Sequence, residues 1–71
     1  MKFKANDYSR GEIIKIIREW TELTQKEFGA RIGKSKPSVQ DYELGKTNYG
    51  IDILMKIAKE FGITIIIEKN K

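Results

Sequence analysis

Residues 24–46, with the sequence TQKEFGARIGKSKPSVQDYELGK, decide the fold of this chain, because they predict two short helices joined by a tight turn. Thr24 and Glu27 have the spacing of a capping box, in which the Thr24 oxygen accepts from the Glu27 N–H while the Glu27 carboxylate accepts from the Thr24 N–H. Gly33 can adopt the positive φ that commonly follows the last turn of a helix. The pattern therefore predicts a first helix that begins at residue 24 or 25 and ends at Gly33.

The second helix of this segment is predicted from about Lys36 to about Glu43. Ser35 is placed to cap it, Pro37 suits its first turn because no intrahelical bond needs the missing N–H, and Gly45 ends it. A helix of about eight residues, roughly 12 Å long, is not stable alone in water and must be held by packing. The side that does not pack begins with polar and basic residues, and a groove of DNA would explain such a surface.

The two-helix segment is part of a longer set of spaced elements. They are Arg18, Leu23-Thr24-Gln25, Glu27-Phe28, Ile32-Gly33, Ser38-Val39, Tyr42-Glu43-Leu44-Gly45-Lys46, Leu54, Ile57-Ala58 and Phe61-Gly62-Ile63. With these elements, about residues 10–63 resemble the helix-turn-helix domain of phage repressor and Cro-type regulators, the XRE family. The resemblance implies a mainly α fold: a small lambda-repressor-like DNA-binding domain of four to five helices.

A further helix is predicted before the two-helix segment. Ser9 and Glu12 form a second capping box, which opens a helix from about Arg10 to Trp20. Its apolar stripe is broader than one neighbouring helix requires, so part of it needs a cover from the N-terminal arm, residues 1–8, or from the C-terminal segment. The residues in need of this cover are Ile13, Ile16 and Trp20.

The C-terminal part predicts a helix from about Ile51 to Phe61 and then a strand at 63–68, where β-branched residues dominate. A lone strand leaves backbone N–H and C=O groups unpaired, so it needs a partner. One partner is the N-terminal MKFKA, within the chain; the other is the same strand of a second subunit. We favour the second, because some antitoxin-like relatives of the resembled family end in such a strand and because it would form the dimer that DNA reading requires.

Composition bounds the remaining possibilities. The 71 residues form a single predicted domain, 1–71, and they include no cysteine and no histidine, which argues against thiol chemistry and the usual zinc sites. No cofactor or metal is expected. The longest apolar run is too short for a membrane span, and the start lacks a secretory hydrophobic region, so we expect a cytoplasmic protein. The net charge of +4 permits nucleic-acid binding without proving it.

The resemblance also implies which residues would meet DNA bases: those before the second helix and in its first two turns. Lys36 can donate to guanine, Ser38 can bond several groups, and Pro37 offers only an apolar contact. Asp41 either reads a cytosine, pairs with a nearby Lys, or makes no contact. The expected base-contacting residues are Ser35, Lys36, Pro37, Ser38 and Asp41.

Phosphate contacts are expected at the start of the first helix of the pair and in the loop that follows the second. The residues are Gln25, Lys34, Lys46, Thr47 and Asn48, with Lys26 as a plausible addition. In the family pattern, Arg18 and Glu43 form a partly buried ion pair that would orient the second helix.

These expectations point to a dimeric repressor that binds double-stranded DNA and reads an inverted repeat. The alternative is an antitoxin that holds a partner toxin and regulates its own operon. An enzyme is a poor third hypothesis, because the sequence has no recognisable set of nucleophile, base and oxyanion donors.

Overall fold

The computed structural model describes residues 2–67, all but Phe3 with their side chains. The elements, in chain order, are strand β1 (Lys2–Lys4), a short 3-10 helix (Ala5–Asp7), helices α1 (Arg10–Thr21), α2 (Gln25–Ile32), α3 (Lys36–Leu44) and α4 (Ile51–Phe61), and strand β2 (Thr64–Ile66). The predicted fold class, mainly α with a C-terminal strand, is confirmed. Every helix within residues 2–67 is too short or too polar to cross a bilayer.

Both predicted capping boxes are formed. The Glu12 N–H donates to the Ser9 hydroxyl at 3.2 Å, and the Ser9 N–H donates to the Glu12 carboxylate at 2.8 Å. The equivalent distances between Thr24 and Glu27 are 3.1 and 2.9 Å. Backbone hydrogen bonds from the capping residues lower the pKa of both glutamates. The two helices therefore begin where local chemistry satisfies their first free N–H groups.

The core lies among α1, α2, α3 and α4, and α1 and α2 approach their neighbours closely where they carry glycine. A Cβ atom at Gly11 of α1 would collide with the backbone carbonyl of Glu43 in α3, and one at Gly29 of α2 would collide with the carbonyl of Lys34. The absence of a side chain at these two positions lets α1 pack against α3 and lets the turn after α2 fold back on α2. The largest fully buried side chains are Phe28, Ile14, Ile17, Ile32, Ile57 and Val39.

The broad apolar stripe of α1 is covered only in part. Ile13 is buried and lines the same depression as Ala5 and Ile67, one from each terminal segment, and Ile16 packs partly buried against the core. Trp20 stays 41% exposed. The terminal segments thus reach the N-terminal half of the helix near Ile13, as expected, whereas Trp20 in its last turn stays partly exposed.

In this structure the C-terminal strand pairs with the other of its two expected partners, the N-terminal segment, and not with the favoured one. β2 lies parallel to β1 of the same chain, with Lys2 opposite Thr64 and Lys4 opposite Ile66. The four helices between the strands supply the long crossover that a parallel pair needs. Residues 2–7 of the predicted arm are therefore a strand and a 3-10 helix, and residue 68 of the predicted strand lies outside the described residues.

Candidate nucleic-acid interface

Helix α3 packs on the core in a way that leaves its first turn exposed to solvent. Val39 and Tyr42 are buried on its inner side, whereas Lys36 and Pro37 in its first turn are exposed. The Ser35 hydroxyl caps the helix by accepting from the Ser38 N–H at 3.3 Å. Two apolar anchors and one cap therefore fix this short helix while its first turn faces solvent.

The hydroxyl groups of Ser35 and Ser38 lie 3.1 Å apart, within hydrogen-bonding distance. Ser35 is exposed and Ser38 is half-buried. Because the Ser35 oxygen already accepts the capping hydrogen bond, its capacity to bond a base is smaller than the sequence indicated. Lys36, the next residue, has the longest donor side chain of this turn, and it forms no ion pair with another described residue.

A depression between the beginnings of α2 and α3 is lined by polar and charged residues. Arg18, Thr24, Gln25, Lys26 and Lys36 line it. The first-turn N–H groups of a helix carry partial positive charge, so two neighbouring helix starts add to the charge of the two lysines. This part of the surface is suited to an anionic ligand such as a phosphate backbone.

Arg18 and Glu43 join α1 to α3 through two parallel hydrogen bonds. Arg18 donates from Nε to Glu43 Oε2 at 2.5 Å and from a terminal guanidinium nitrogen to Oε1 at 3.1 Å. Their side chains are only 18% and 6% exposed. The side-chain hydrogen bonds to Glu43 raise the pKa of the Arg18 guanidinium, so Arg18 keeps its positive charge.

The same network extends to the start of α2. A further guanidinium nitrogen of Arg18 donates to the Leu23 carbonyl at 3.1 Å, just before α2 begins. The Gln25 side-chain amide donates to Glu43 Oε1 at 3.2 Å. Glu43 therefore accepts hydrogen bonds from α1 and α2 while it sits on α3, and it fixes the angle between the two helices of the pair.

The Gln25 side chain contacts a carboxylate in the structure, and its expected phosphate contact remains a prediction. One N–H of its amide is engaged with Glu43, and the residue is half-buried. Sequence spacing placed Gln25 correctly at the start of α2, but it could not show that a carboxylate 18 residues away comes within reach. A phosphate at this position would be met by the remaining amide group and by the start of the helix.

The loop after α3 carries the other expected phosphate-binding residues at its surface. Lys46, Thr47 and Asn48 are all exposed. The loop turns on the Asp41 carbonyl, which accepts from the Lys46 N–H at 2.9 Å and the Thr47 N–H at 3.4 Å. The side chain of Asp41 forms no ion pair with another described residue, so the expected alternative of a lysine partner is not observed.

A pair of reciprocal hydrogen bonds ties this loop to α1. The Tyr49 hydroxyl donates to the Arg10 carbonyl at 2.8 Å, and the Arg10 guanidinium donates to the Tyr49 carbonyl at 3.0 Å. The guanidinium also lies over the Tyr49 ring, 5.5 Å from its centre, and the ring contacts Tyr42 edge-on. Burial raises the pKa of the Tyr49 hydroxyl. We call this contact the Arg10–Tyr49 clasp.

Sequence reasoning missed the clasp, because Tyr49 lies among turn-forming residues in the loop between two predicted helices. The only available signal was a large aromatic residue in a loop otherwise made of small and polar residues. Its partner lies 39 positions away. No local periodicity connects the two.

The geometry defines a helix-turn-helix: α2 and α3 joined by a three-residue turn, with α3 packed on α1 and α2 and its first turn exposed. A family model described as helix-turn-helix matches residues 14–66. The chain belongs to this family, the Cro/C1-type or XRE group of DNA-binding transcription regulators. No curated protein and no solved structure matches the chain significantly.

Proposed function

We propose that this chain is a sequence-specific repressor that acts as a homodimer and reads an inverted repeat in double-stranded DNA. The observation that carries the proposal is the exposed first turn of α3, held in place from behind by the Arg18–Glu43 network. In a dimer, two such helices about 34 Å apart would enter successive major grooves.

The roles of individual residues follow from their placement. Lys36 would donate to guanine, with Ser35, Pro37, Ser38 and Asp41 in the same groove. The loop residues Lys46, Thr47 and Asn48 would contact phosphates, supported by Lys34 and by the start of α2 at Gln25. In this arrangement, contacts to the bases would determine which sequence is bound, and contacts to the phosphates would position the protein on the duplex.

Selection of bound sites from random duplexes tests the function directly. The expected result is a two-fold symmetric site, because each copy of the chain would read one half-site. Recovery of sites with no common sequence would contradict sequence-specific reading, and a single unrepeated half-site would contradict the dimer.

Two lysine variants then separate the proposed roles. Lys36→Ala should cost roughly 1–3 kcal/mol at the selected site and relax the preference at one base position. Lys46→Ala should weaken binding to selected and unrelated duplexes by the same factor, because a phosphate contact carries no sequence information. Lys2→Ala, which removes the same charge from β1, is the matched control. Equal losses on all sequences for both Lys36→Ala and Lys46→Ala would refute the assigned roles.

An antitoxin function is the second candidate, and one observation favours it. Within the described residues, β1 and β2 form a two-stranded sheet, so an outer strand edge can accept a strand from another protein. Co-expression with the neighbouring genes tests this: an antitoxin should copurify with one product and relieve its toxicity. A chain that represses its operator fully when expressed alone, and retains no second protein, would rule this candidate out.

A further inference from the structure

Exposed apolar side chains gather at one side of α4. Ile51 and Met55, one helical turn apart, are 64% and 63% exposed. Ile67, just after β2, is also 64% exposed and lines the same apolar depression as Ile51. We call these three residues the α4 patch. Single exposed apolar residues are common on protein surfaces, but adjacent ones indicate a contact surface.

The other sides of α4 already have partners in the chain. Leu54 and Ile57 are buried in the core. Glu60 accepts a hydrogen bond from Arg31 of α2 at 2.7 Å. The α4 patch is therefore not part of the packing that holds this domain together.

Two opposite charges flank the patch, one toward each end of α4, so two antiparallel copies of the helix would bring unlike charges together. Asp52 lies in the first turn of α4 and Lys59 in the last, and both side chains are exposed. Seven residues make nearly two helical turns, so these charges lie on the same side of the helix, roughly 10 Å apart along its axis. Neither forms an ion pair with another described residue. Their midpoint in the sequence falls beside Met55.

We propose that the α4 patch is the dimer interface, occupied by a second copy of this chain. The two α4 helices pack antiparallel across a two-fold axis at Met55, so that Asp52 of each copy lies opposite Lys59 of the other. Ile51 of each copy packs on the aliphatic part of the opposing Lys59 side chain. A two-fold interface requires such self-complementarity, with the same contact made twice.

The proposed interface also suits DNA reading, and in that respect it rests on the proposed function. Gly45 ends α3 and Ile51 begins α4, so only a short loop separates the reading helix from the axis. The axis would therefore bring the C-terminal ends of the two α3 helices toward each other. In this proposal, the contact between the two α4 helices takes the place of the strand-to-strand contact between subunits that the sequence favoured.

Charge reversal tests the interface through sedimentation equilibrium of the full chain without DNA. Wild type should be dimeric. Asp52→Lys and Lys59→Asp should each raise the dimer dissociation constant roughly tenfold, because each places like charges opposite one another at both ends. An equimolar mixture of the two variants should form a heterodimer with nearly wild-type affinity, since opposite charges then meet again.

The mixing experiment distinguishes the interface from a loss of helix stability. Both substitutions also oppose the α4 helix dipole, but mixing two chains cannot repair a defect within each chain. Met55→Asp should raise the dissociation constant on the order of a hundredfold, because it places two carboxylates at the axis. Lys15→Asp, on the exposed side of α1, is the charge-matched control and should leave association unchanged.

A wild-type chain that stays monomeric at the concentration at which it binds DNA would overturn the interface and leave the DNA-binding function standing. Dimers unaffected by Met55→Asp, or variants that do not associate on mixing, would also overturn it and move the contact to another surface, such as the edge of β2. A dimer with the expected charge behaviour that binds no DNA would overturn the proposed function and leave the interface standing.

Discussion

Glu43 is the residue on which the orientation of the reading helix depends most. It accepts from two groups of Arg18 and from Gln25, and its side chain is almost completely shielded from solvent. A carboxylate in such surroundings is stabilised only through its partners. Removing it leaves the Arg18 guanidinium charged, partly buried and without its bidentate acceptor.

Glu43→Ala should therefore lower the free energy of unfolding by about 3–5 kcal/mol, a large part of what a domain of this size has. Urea denaturation followed by circular dichroism measures the change. Glu60→Ala is the matched control, because its partner Arg31 is 47% exposed and Glu60 itself 37% exposed; it should cost about 0–1 kcal/mol. Equal losses for the two variants would contradict a special role for the Arg18–Glu43 pair.

The two capping glutamates give a pH dependence at the residue scale. Hydrogen bonds from the Ser9 and Thr24 backbones lower the pKa of Glu12 and Glu27 below the ordinary value of 4.5. Their contribution is therefore fully present above pH 4.5 and is lost as the pH falls through the lowered values in the folded state. In urea denaturation, the free energy of unfolding of the wild type should fall more steeply over this pH range than that of the double variant Glu12→Gln/Glu27→Gln. Parallel pH curves for the two proteins would contradict this.

At the scale of elements, the helices could be predicted from the sequence because their limits are set locally. The helix α4, for example, was expected at Ile51–Phe61 and occupies the same residues in the structure. A capping side chain, a glycine stop and the apolar spacing all act within a few residues of one another. The same holds for the exposed first turn of α3, the centre of the candidate site.

The contacts that sequence reasoning missed join distant parts of the chain. A strand at 63–68 was expected and occupies 64–66 in the structure, but its parallel pairing with Lys2–Lys4 was not the favoured alternative. A composition rich in β-branched residues predicts an extended segment but does not identify the strand with which it pairs. The Arg10–Tyr49 clasp and the hydrogen bond from Gln25 to Glu43 were missed for the same reason, since each depends on how the helices pack.

The clasp predicts how the loop after α3 depends on Tyr49. Tyr49→Phe keeps the ring but removes the hydroxyl that donates to the Arg10 carbonyl, so it should cost about 0.5–1.5 kcal/mol of stability. Amide hydrogen exchange in Lys46, Thr47 and Asn48 should accelerate, because a loop less firmly tied to α1 opens more often. Tyr42→Phe, which keeps the ring beside Tyr49 and removes a hydroxyl that forms no hydrogen bond with another described residue, is the control. Unchanged exchange in the loop would mean that the clasp does not hold it.

For the whole molecule, the net charge of +4 is too small to determine where DNA binds, so placement of charge matters more than its amount. Lys36 and Lys26 lie beside the start of α3, and Lys46 lies in the loop beyond its end. The proposed DNA-facing surface is thus basic at both ends of the reading helix, with Asp41 between them. The α4 patch, by contrast, is apolar and carries charges of both signs at its margin.

This distribution predicts the salt dependence of DNA binding. If a dimer neutralises about six phosphates, the logarithm of the association constant should fall with the logarithm of salt concentration with a slope near −5. Lys46→Ala removes one phosphate contact from each copy and should make the slope shallower by about 2, whereas Lys2→Ala should leave it unchanged. Fluorescence anisotropy of a labelled operator over a series of salt concentrations measures this. A slope near zero would contradict binding through the phosphate backbone, and an equal change in slope for both variants would show that position on the surface does not matter.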